Sequence, residues 1–260
     1  MQIAILLSLC SKKQDWVKLA DCDFIKIFLD NFMMTKSNKH KYVIYLGYDE
    51  NDEFFLSKKT ELEKRFNKSN GNIKIVIQVL PKICNSNPCE AWNILYKSAI
   101  ENSSNDYFYQ CGTDIIHTCI GWDDYFIKIL QKSDNIGIIG GVDTNFWIER
   151  QLHEQSGILE NVFTGRDHYE RFGWFFPPEV KTWFSDDLIT KIYRNVGLCY
   201  ICPNIKYINT NRVGGSNEKS RYVPPEQEKI ATSWYNYADK YSSIGFKGDE
   251  KEFNKLAIYN

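Results

Sequence analysis

The sequence predicts an α/β protein with a mostly parallel central sheet flanked by helices. Short, β-rich apolar runs alternate with longer amphipathic runs from the N-terminus to about residue 142, and this alternation is typical of parallel sheets covered by helices on both faces. At 260 residues the chain is also long enough to bury a full hydrophobic core.

The individual elements follow from the period of each run. The strands are predicted at residues 2–10, 41–48, 73–80, 106–112 and 135–142. The helices are predicted at residues 21–34, 54–67, 87–101 and 121–132. The start of the third helix has the clearest signal, because Asn87 suits an N-cap and Pro88 suits the first helical position.

The second half of the chain has weaker periodicity. After Val142 aromatic residues become frequent, including Trp147, Phe172 and Trp174. We interpret this part as additions to the same sheet, and we expect one continuous domain over residues 1–260.

The composition excludes several classes of protein. A formal charge of −1 and a pI near 6.4 argue against a nucleic-acid partner. No segment reaches the roughly 18 apolar residues of a membrane span, and the apolar N-terminus lacks the basic residues of a signal peptide. The eight cysteines are too sparse for a disulfide scaffold. We therefore expect a soluble protein of a reducing, cytoplasmic compartment.

The stretch from Pro81 to Ile115 carries the strongest functional signal. It reads as a loop, an amphipathic helix, a polar turn and an aromatic strand that ends on a lone carboxylate, Asp114. Ligands of open α/β sheets bind at the carboxyl ends of the strands. A carboxylate in that place suits a divalent cation that carries phosphate oxygens.

Four short segments suggest a family by their order and spacing. They are Ala91-Trp92-Asn93, the strand from Tyr107 to Asp114, the segment from His168 to Pro177, and Trp183-Phe-Ser-Asp186-Asp187-Leu188. Over roughly residues 1–200 they resemble the GT-A glycosyltransferases, with a layout closest to the inverting family 2 type. There they correspond to an A-x-N element, a strand ending in D-x-D, an acceptor-side segment and an acidic pair containing the catalytic base.

Two departures from this family concern the metal. Gly112 stands where the first aspartate of D-x-D is expected, and the last histidine is His168, although family members often use a later one. The resemblance therefore implies Mn²⁺ or Mg²⁺ held by Asp114, the substrate diphosphate and water. A weakened or lost metal site is the alternative.

The resemblance implies a catalytic base in the acidic pair. Asp187 is the first choice and Asp186 the second, because the second acidic residue is usually the base in the family. Both residues also suit ordinary helix capping chemistry, with Ser185 as the N-cap. The two interpretations are compatible, since the first turn of a helix can direct a carboxylate.

The resemblance also assigns binding roles. Residues 1–142 form the half that binds the nucleotide sugar, and residues 143–260 form the acceptor half with a C-terminal loop and helix. The donor-binding candidates are Leu9, Ser11, Asp49, Asn93, Thr113, Asp114, Arg212 and Arg221. The acceptor-binding candidates are His168, Trp174 and Trp183. Structural alternatives stay open for them: Asn93 can brace a loop, His168 can pack in the core, and Asp49 can lie in a solvated turn.

The expected function is transfer of a sugar from a nucleoside-diphosphate donor, with UDP as the nucleotide, to a hydroxyl acceptor such as a glycan, by a single inverting displacement. A non-catalytic protein of the same fold that binds a glycan or a partner is the first alternative. A sugar nucleotidyltransferase is the second, but the segment after the first strand lacks the glycines that it requires.

Overall fold

In the computed structural model, eight strands form one sheet with the order β3-β2-β1-β4-β7-β6-β8-β5. The structure describes residues 1–66, 71–84, 87–144, 152, 157–182, 184–210 and 227–247. The strands are β1 (Gln2–Leu9), β2 (Lys41–Asp49), β3 (Ile73–Leu80), β4 (Tyr107–Gln110), β5 (Ile115–His117), β6 (Ile138–Asp143), β7 (Val162–Gly165) and β8 (Cys199–Asn209).

The first four strands in spatial order are all parallel. β1 lies between β2 and β4, and β2 pairs with β3 at the edge of the sheet. Because β1 is covered on both faces, residues Ile3–Leu7 are fully buried, which explains why its sequence is continuously apolar instead of alternating. We call β3, β2, β1 and β4 the parallel half.

The other four strands, which we call the mixed half, change direction twice. β7 pairs antiparallel with β4 on one side and with β6 on the other. β6 then runs parallel to β8, and β8 pairs antiparallel with the short edge strand β5. The sheet thus combines strands from residues 1–142 and from later residues, while the functional division into two halves stays a prediction.

Helices cover the sheet. A π-helical segment, Phe24–Leu29, continues directly into the first α-helix. The described α-helices are α1 (Asp30–Thr35), α2 (Glu53–Ser57), α3 (Lys59–Phe66), α4 (Pro88–Glu101), α5 (Trp122–Leu130), α6 (Asp167–Phe172), α7 (Ser185–Arg194) and α8 (Gln227–Gly245). No helix in the described part of the chain combines the length and hydropathy needed to cross a bilayer.

Helix α4 is central to the site because it packs against β1, β2 and β3. Its apolar residues Ala91, Leu95 and Ala99 recur every four positions and are buried, as expected for a helix with one face on a sheet. Its start matches the prediction: the side chain of Asn87 accepts a hydrogen bond from the backbone N–H of Glu90, and Pro88 is the first helical residue.

Candidate active site

The carboxyl ends of six strands lie along one edge of the sheet. β1 to β4 are parallel to one another, and the two antiparallel pairings of β7 bring β6 and β8 into the same direction. The segments after β1, β2, β4 and β8 therefore meet at this edge. Such an edge is where open α/β sheets bind ligands.

A cleft of about 250 Å³ opens at this edge, and Asp114 and Asp186 both line it. Asp114 follows β4 and is 8% exposed. Its backbone carbonyl accepts hydrogen bonds from the N–H and the hydroxyl of Thr210, at 2.9 and 3.1 Å. The end of β8 thus fastens the turn that presents the Asp114 carboxylate.

Gly112 makes room for that carboxylate. A Cβ atom built on Gly112 would collide with Oδ1 of Asp114. The glycine that replaces the first aspartate of D-x-D is therefore part of how Asp114 is arranged, because any side chain at position 112 requires the Asp114 carboxylate to move.

The acidic pair lies in the first turn of α7, but only one member reaches the cleft. Asp186 lines the cleft, whereas Asp187 is not among the described residues that do so. The side chain of Asp186 accepts a hydrogen bond from the backbone N–H of Asp187 at 3.1 Å. Of the two candidates for the base, Asp186 is thus the one that belongs to the cleft lining, and the choice between them stays a prediction.

The start of α7 differs from the prediction in one detail. Ser185 was expected as the N-cap, but it is the first helical residue, and Phe184 occupies the cap position with a left-handed backbone at φ 69°. A left-handed conformation is unusual for a bulky residue. Phe184 itself lines the cleft, so this turn lies directly at the candidate site.

The cleft lining also includes polar residues that were not predicted as site residues, among them Gln110, Glu160 and Asn209. Gln110 ends β4 and is only 3% exposed, and its side-chain oxygen has no hydrogen-bond partner among the described residues. A polar residue at the end of an aromatic strand is a weak signal for Gln110. Glu160 and Asn209 carry no such signal, because they reach the cleft only through the pairing of β7 with β4 and β6 and of β8 with β6 and β5.

Asn93 makes three side-chain hydrogen bonds to the segment of Phe175 and Phe176. Its side-chain oxygen accepts hydrogen bonds from the backbone N–H groups of Phe175 and Phe176, and its amide nitrogen donates to the carbonyl of Phe176, all at 2.9 Å. These contacts brace the segment that places Phe176 in the cleft wall, near Trp92. The contacts support the bracing role that had been left open, and the nucleotide contact of Asn93 stays a prediction.

His168 requires a correction. It is 1% exposed, its Nδ1 lies 2.6 Å from the Tyr193 hydroxyl, and its Nε2 lies 3.0 Å from the carbonyl of Phe175. Burial lowers its pKa to about 4, so the ring is neutral. His168 is a core residue and not an acceptor contact.

Trp174, the second acceptor candidate, packs away from the cleft lining. Its ring stacks on Phe172 with centroids 4.7 Å apart and meets the edge of Tyr241 at 5.1 Å. Thr113 is buried, at 4% exposed, and is not among the described residues of the cleft wall. The remaining candidates Trp183, Arg212 and Arg221 lie outside the described residues.

A second group of predicted residues lies at the ends of β1 and β2. Leu9 pairs with Tyr48, which places Ser11 and Asp49 at neighbouring strand ends. The side chain of Asp52 accepts hydrogen bonds from the backbone N–H and the hydroxyl of Ser11, at 2.8 and 2.7 Å. Asp52 also caps α2. Asp52, in the acidic loop after β2, therefore fixes the position of Ser11.

Among these strand-end residues, Asp49 has a raised pKa. Burial, with a further contribution from the Asp52 carboxylate, raises the pKa of Asp49 to about 6. Burial, with a smaller contribution from the Asp49 charge, raises the pKa of Cys84 to about 12. A half-buried carboxylate beside two strand ends suits a hydrogen bond from a nucleobase or a ribose.

A metal would depend on the substrate at this site. Among the described residues, no three His, Cys, Asp or Glu side chains come together as a metal-binding group. Asp114, Glu160 and Asp186 each bring a carboxylate to the cleft lining, but they do not gather into such a group. This donor set fits Mg²⁺ or Mn²⁺ that takes its other ligands from phosphates and water, not a cage made by the protein alone.

Solved structures with the same architecture bind UDP. S. aureus TarS 1–349 in complex with UDP matches with a TM-score of 0.52 and 11% identity, over 97% of this chain and 68% of that chain. The same TarS fragment with UDP-GlcNAc matches with a TM-score of 0.53, 12% identity and the same coverage. GalNAc-T7 with UDP, GalNAc and Mn²⁺ matches with a TM-score of 0.57 and 11% identity, over 94% of this chain and 49% of that chain.

No protein-family model and no curated protein sequence matches the chain. The structural neighbours, however, are GT-A glycosyltransferases, and they confirm the predicted fold class. The chain has the GT-A fold.

Proposed function

We propose that this protein is a glycosyltransferase that moves a sugar from a UDP-sugar donor to a hydroxyl acceptor, such as a glycan, with inversion at the anomeric carbon. One observation carries the proposal: Asp114 and Asp186, which come from different segments of the chain, line one cleft at the carboxyl edge of a GT-A sheet. UDP and UDP-GlcNAc in the TarS structures support the choice of nucleotide.

The two carboxylates serve two parts of the reaction: removal of the acceptor proton and stabilisation of the departing diphosphate. Asp186 takes the proton of the acceptor hydroxyl as its oxygen attacks the anomeric carbon. The new C–O bond forms while the bond from that carbon to the β-phosphate oxygen breaks, and the electron pair leaves with the UDP. Because attack and departure occur on opposite sides of one carbon, a single displacement inverts the configuration.

Charge builds up on the departing diphosphate. Asp114 lies at the phosphate side of the cleft in this proposal, where it would hold Mn²⁺ or Mg²⁺ together with the substrate oxygens. When bound, such an ion neutralises the charge that develops on the leaving group. The protein contributes the direction of the Asp114 carboxylate through Gly112 and Thr210.

The other residues position these groups. Asn93 braces the segment of Phe176, which forms part of the cleft wall beside Trp92. Ser11, held by Asp52, and Asp49 would bind the nucleotide at the ends of β1 and β2. The nucleotide would then extend along the strand ends toward Asp114, with its sugar between Asp114 and Asp186.

Thermal shift with a panel of nucleotides and nucleotide sugars, with and without Mn²⁺, tests binding. A ligand that binds only the folded state at 100 times its Kd adds about 2.7 kcal/mol of stability, so we expect UDP and UDP-sugars to raise the Tm. Release of UDP from the UDP-sugars then tests catalysis. A panel without any shift would contradict the proposal.

A non-catalytic binding protein of the same fold is the second candidate. Gly112 favours it, because the first aspartate of D-x-D is absent there. The two candidates differ in one measurement: a binding protein shows the thermal shift but releases no UDP, and the Asp186→Asn variant behaves like the wild type.

A further inference from the structure

The wall of the cleft contains aromatic rings and uncharged polar side chains in addition to its carboxylates. Trp92, Phe176 and Phe184 supply the rings, and Gln110 and Asn161 supply amides. Pockets for small molecules combine such rings with a few polar groups that fix the orientation of the ligand. A sugar ring suits this part of the wall, because it has C–H faces for the aromatic rings and hydroxyls for the amides.

The size of the cleft indicates which part of a donor it holds. Pockets that enclose whole drug-sized ligands measure about 300–1,000 Å³, whereas this cleft measures about 250 Å³. It suits one sugar ring better than a whole nucleotide sugar. If the proposed function holds, the ring of the donor lies here, because its anomeric carbon must lie between the diphosphate and the base.

Gln110 brings a buried hydrogen-bond acceptor without a partner to this wall. It ends β4, whose other three residues are aromatic, and it is 3% exposed. Its side-chain oxygen accepts no hydrogen bond from the residues that the structure describes. A buried amide oxygen without a donor is rare in folded proteins and lowers stability. A ligand that donates a hydrogen bond to this oxygen removes that cost.

Trp92 brings the complementary donor. Its indole Nε1–H is buried and has no acceptor in the described part of the chain, while its ring packs against Phe176 with centroids 5.6 Å apart. The N–H of a buried tryptophan usually finds a hydrogen-bond partner. The wall of one cleft therefore offers both an unused acceptor and an unused donor, and neither belongs to a titratable group.

The fold brings Gln110 and Trp92 to the same end of the sheet. The rings of Tyr96, on α4, and Phe108, on β4, lie in contact with centroids 4.9 Å apart. Trp92 comes one helical turn before Tyr96, and Gln110 comes two residues after Phe108 on the same face of the strand. Because α4 returns the chain from β3 to the parallel strand β4, helix and strand run in opposite directions. Both residues thus lie on the cleft side of that ring contact.

We propose that Gln110 and Trp92 together bind one hydroxyl group of the donor sugar and so determine which sugars the cleft accepts. The hydroxyl donates its hydrogen to Oε1 of Gln110, and its oxygen accepts a hydrogen bond from Nε1–H of Trp92. A hydroxyl can do both at once. A sugar that lacks this hydroxyl leaves both protein atoms unpaired and is rejected. The inference rests on the proposed function, since it assumes a UDP-sugar donor.

Gln110→Met and Trp92→Phe test the inference, because each removes one hydrogen-bonding atom and keeps much of the shape of the side chain. Calorimetric titration uses UDP, UDP-glucose, UDP-galactose and UDP-N-acetylglucosamine, with Mn²⁺ throughout, and gives the affinity of each sugar nucleotide relative to UDP. For the sugar nucleotide that the wild type binds best, we expect this ratio to fall about 10-fold in Gln110→Met and about 5-fold in Trp92→Phe. Affinity for UDP itself should change by less than about 2-fold.

Two matched controls make the same changes elsewhere. Gln78→Met alters β3, where the Gln78 side-chain oxygen accepts a hydrogen bond from the Ser98 hydroxyl at 3.0 Å. Trp122→Phe removes another indole N–H without a partner, but Trp122 lies in the core and stacks on His117. Neither Gln78 nor Trp122 is among the described residues of the cleft wall, so both variants should keep the wild-type ratios.

Monodeoxy analogues of the best-bound sugar nucleotide identify the hydroxyl. We expect one analogue to bind the wild type about 10-fold more weakly than the parent, and Gln110→Met to bind that analogue and the parent within about 2-fold of each other. The Tm of free Gln110→Met should not fall, because the substitution removes no hydrogen bond of the Gln110 oxygen to the described residues.

The outcomes separate the inference from the proposed function. Unchanged ratios in both cleft variants, with UDP bound, overturn the inference and leave the proposed function intact. A lower Tm of Gln110→Met with equal losses of affinity for UDP and the sugar nucleotides shows a structural role for Gln110, which also overturns it. A deoxy series in which no penalty disappears in Gln110→Met overturns the assignment to a hydroxyl. Absence of UDP binding by the wild type refutes the proposed function, and the inference with it.

Discussion

The parallel half and the mixed half of the sheet meet between β4 and β7, and they encode the site in different ways. In the parallel half, Ser11, Asp49 and Asp114 lie at the carboxyl ends of β1, β2 and β4, which are adjacent in the sheet. In the mixed half, Glu160 and Asn209 reach the cleft only because strands distant in sequence pair, as Ile115 does with Asn209. The strand-end candidates of the parallel half thus follow from local signals, whereas the additional cleft residues of the mixed half depend on long-range pairing.

The largest expected effect separates binding from chemistry. Asp186→Asn keeps the volume and the hydrogen bond to the N–H of Asp187 but cannot accept a proton, so we expect kcat to fall about 1,000-fold, as for loss of a general base. UDP affinity should hardly change. The measurement is steady-state transfer or UDP release, alongside titration with UDP.

Asp187→Asn is the matched variant for that experiment, because it makes the same change one residue further along α7. We expect a loss below about 10-fold, since only Asp186 lines the cleft. If Asp187→Asn proves the more damaging of the two, the family pattern has located the base and the cleft geometry has not.

The second effect concerns the contact between α4 and the segment of Phe175 and Phe176. Asn93, on α4, makes three hydrogen bonds to the backbone of Phe175 and Phe176. Asn93→Ala leaves two buried N–H groups and one carbonyl without that partner, so we expect a loss of about 2–4 kcal/mol in the free energy of unfolding. Urea denaturation measures it.

Asn102→Ala provides the comparison for Asn93, because Asn102 follows the same helix and makes longer hydrogen bonds, at 3.5 and 3.3 Å. We expect it to lose under about 1 kcal/mol. Similar losses for both variants would show that the bracing of the segment at Phe175 contributes no special stability.

The third effect concerns Gly112, in the segment that follows β4. Gly112→Ala places a methyl group against Oδ1 of Asp114, and the flexible carboxylate can rotate away. We expect the free energy of unfolding to change by less than about 1 kcal/mol, while donor turnover falls about 10-fold because the carboxylate is misdirected. The same substitution in an Asp114→Asn background should have little further effect on turnover. Additive losses would mean that Gly112 acts independently of Asp114.

The smallest effect belongs to the parallel half. The pKa of Asp49, about 6, makes it half protonated at that pH, and only its ionised form is a pure acceptor for a nucleobase N–H. We expect affinity for UDP-glucose to rise a few-fold as the pH increases through about 6 and then to level off. Asp49→Asn should flatten the profile. UDP-glucose is preferred to UDP here, because a terminal phosphate titrates near pH 6 as well.

Asp49 also affects folding stability with a defined sign. Its folded pKa lies above the ordinary value of 3.8, so the native state binds this proton more tightly than the unfolded chain. The free energy of unfolding contributed by Asp49 therefore decreases as the pH rises from about 4 through about 6. A wild-type profile without this decrease relative to Asp49→Asn would contradict the assigned burial.

The sequence predicted the parallel half closely. β2 was expected at residues 41–48 and lies at Lys41–Asp49, and β3 matches its predicted bounds. Helix α4 and its capping residues also agree. These elements carry local signals: apolar runs of strand length, an amphipathic period and a recognisable cap.

The mixed half was predicted less well, for physical reasons. β7 has four residues and β8 runs through Pro203, so neither offers a clear alternation to read. Their pairing decides which polar residues enter the cleft, and pairing is not a local property. The hydrogen-bond partners of His168 and Asn93 could not be predicted for the same reason. These partners, Tyr193 and Phe175, are 25 and 82 residues away in the sequence.

The left-handed turn at Phe184 has a consequence for anyone who wishes to engineer this protein. A bulky residue with φ 69° is expected to lower the free energy of unfolding by about 1–2 kcal/mol relative to a glycine at the same position. Phe184→Gly is therefore an obvious substitution to select for higher thermal stability. The same substitution would restrict the turn before α7 less, and the proposed proton acceptor, Asp186, would then be held less firmly in its direction toward the sugar.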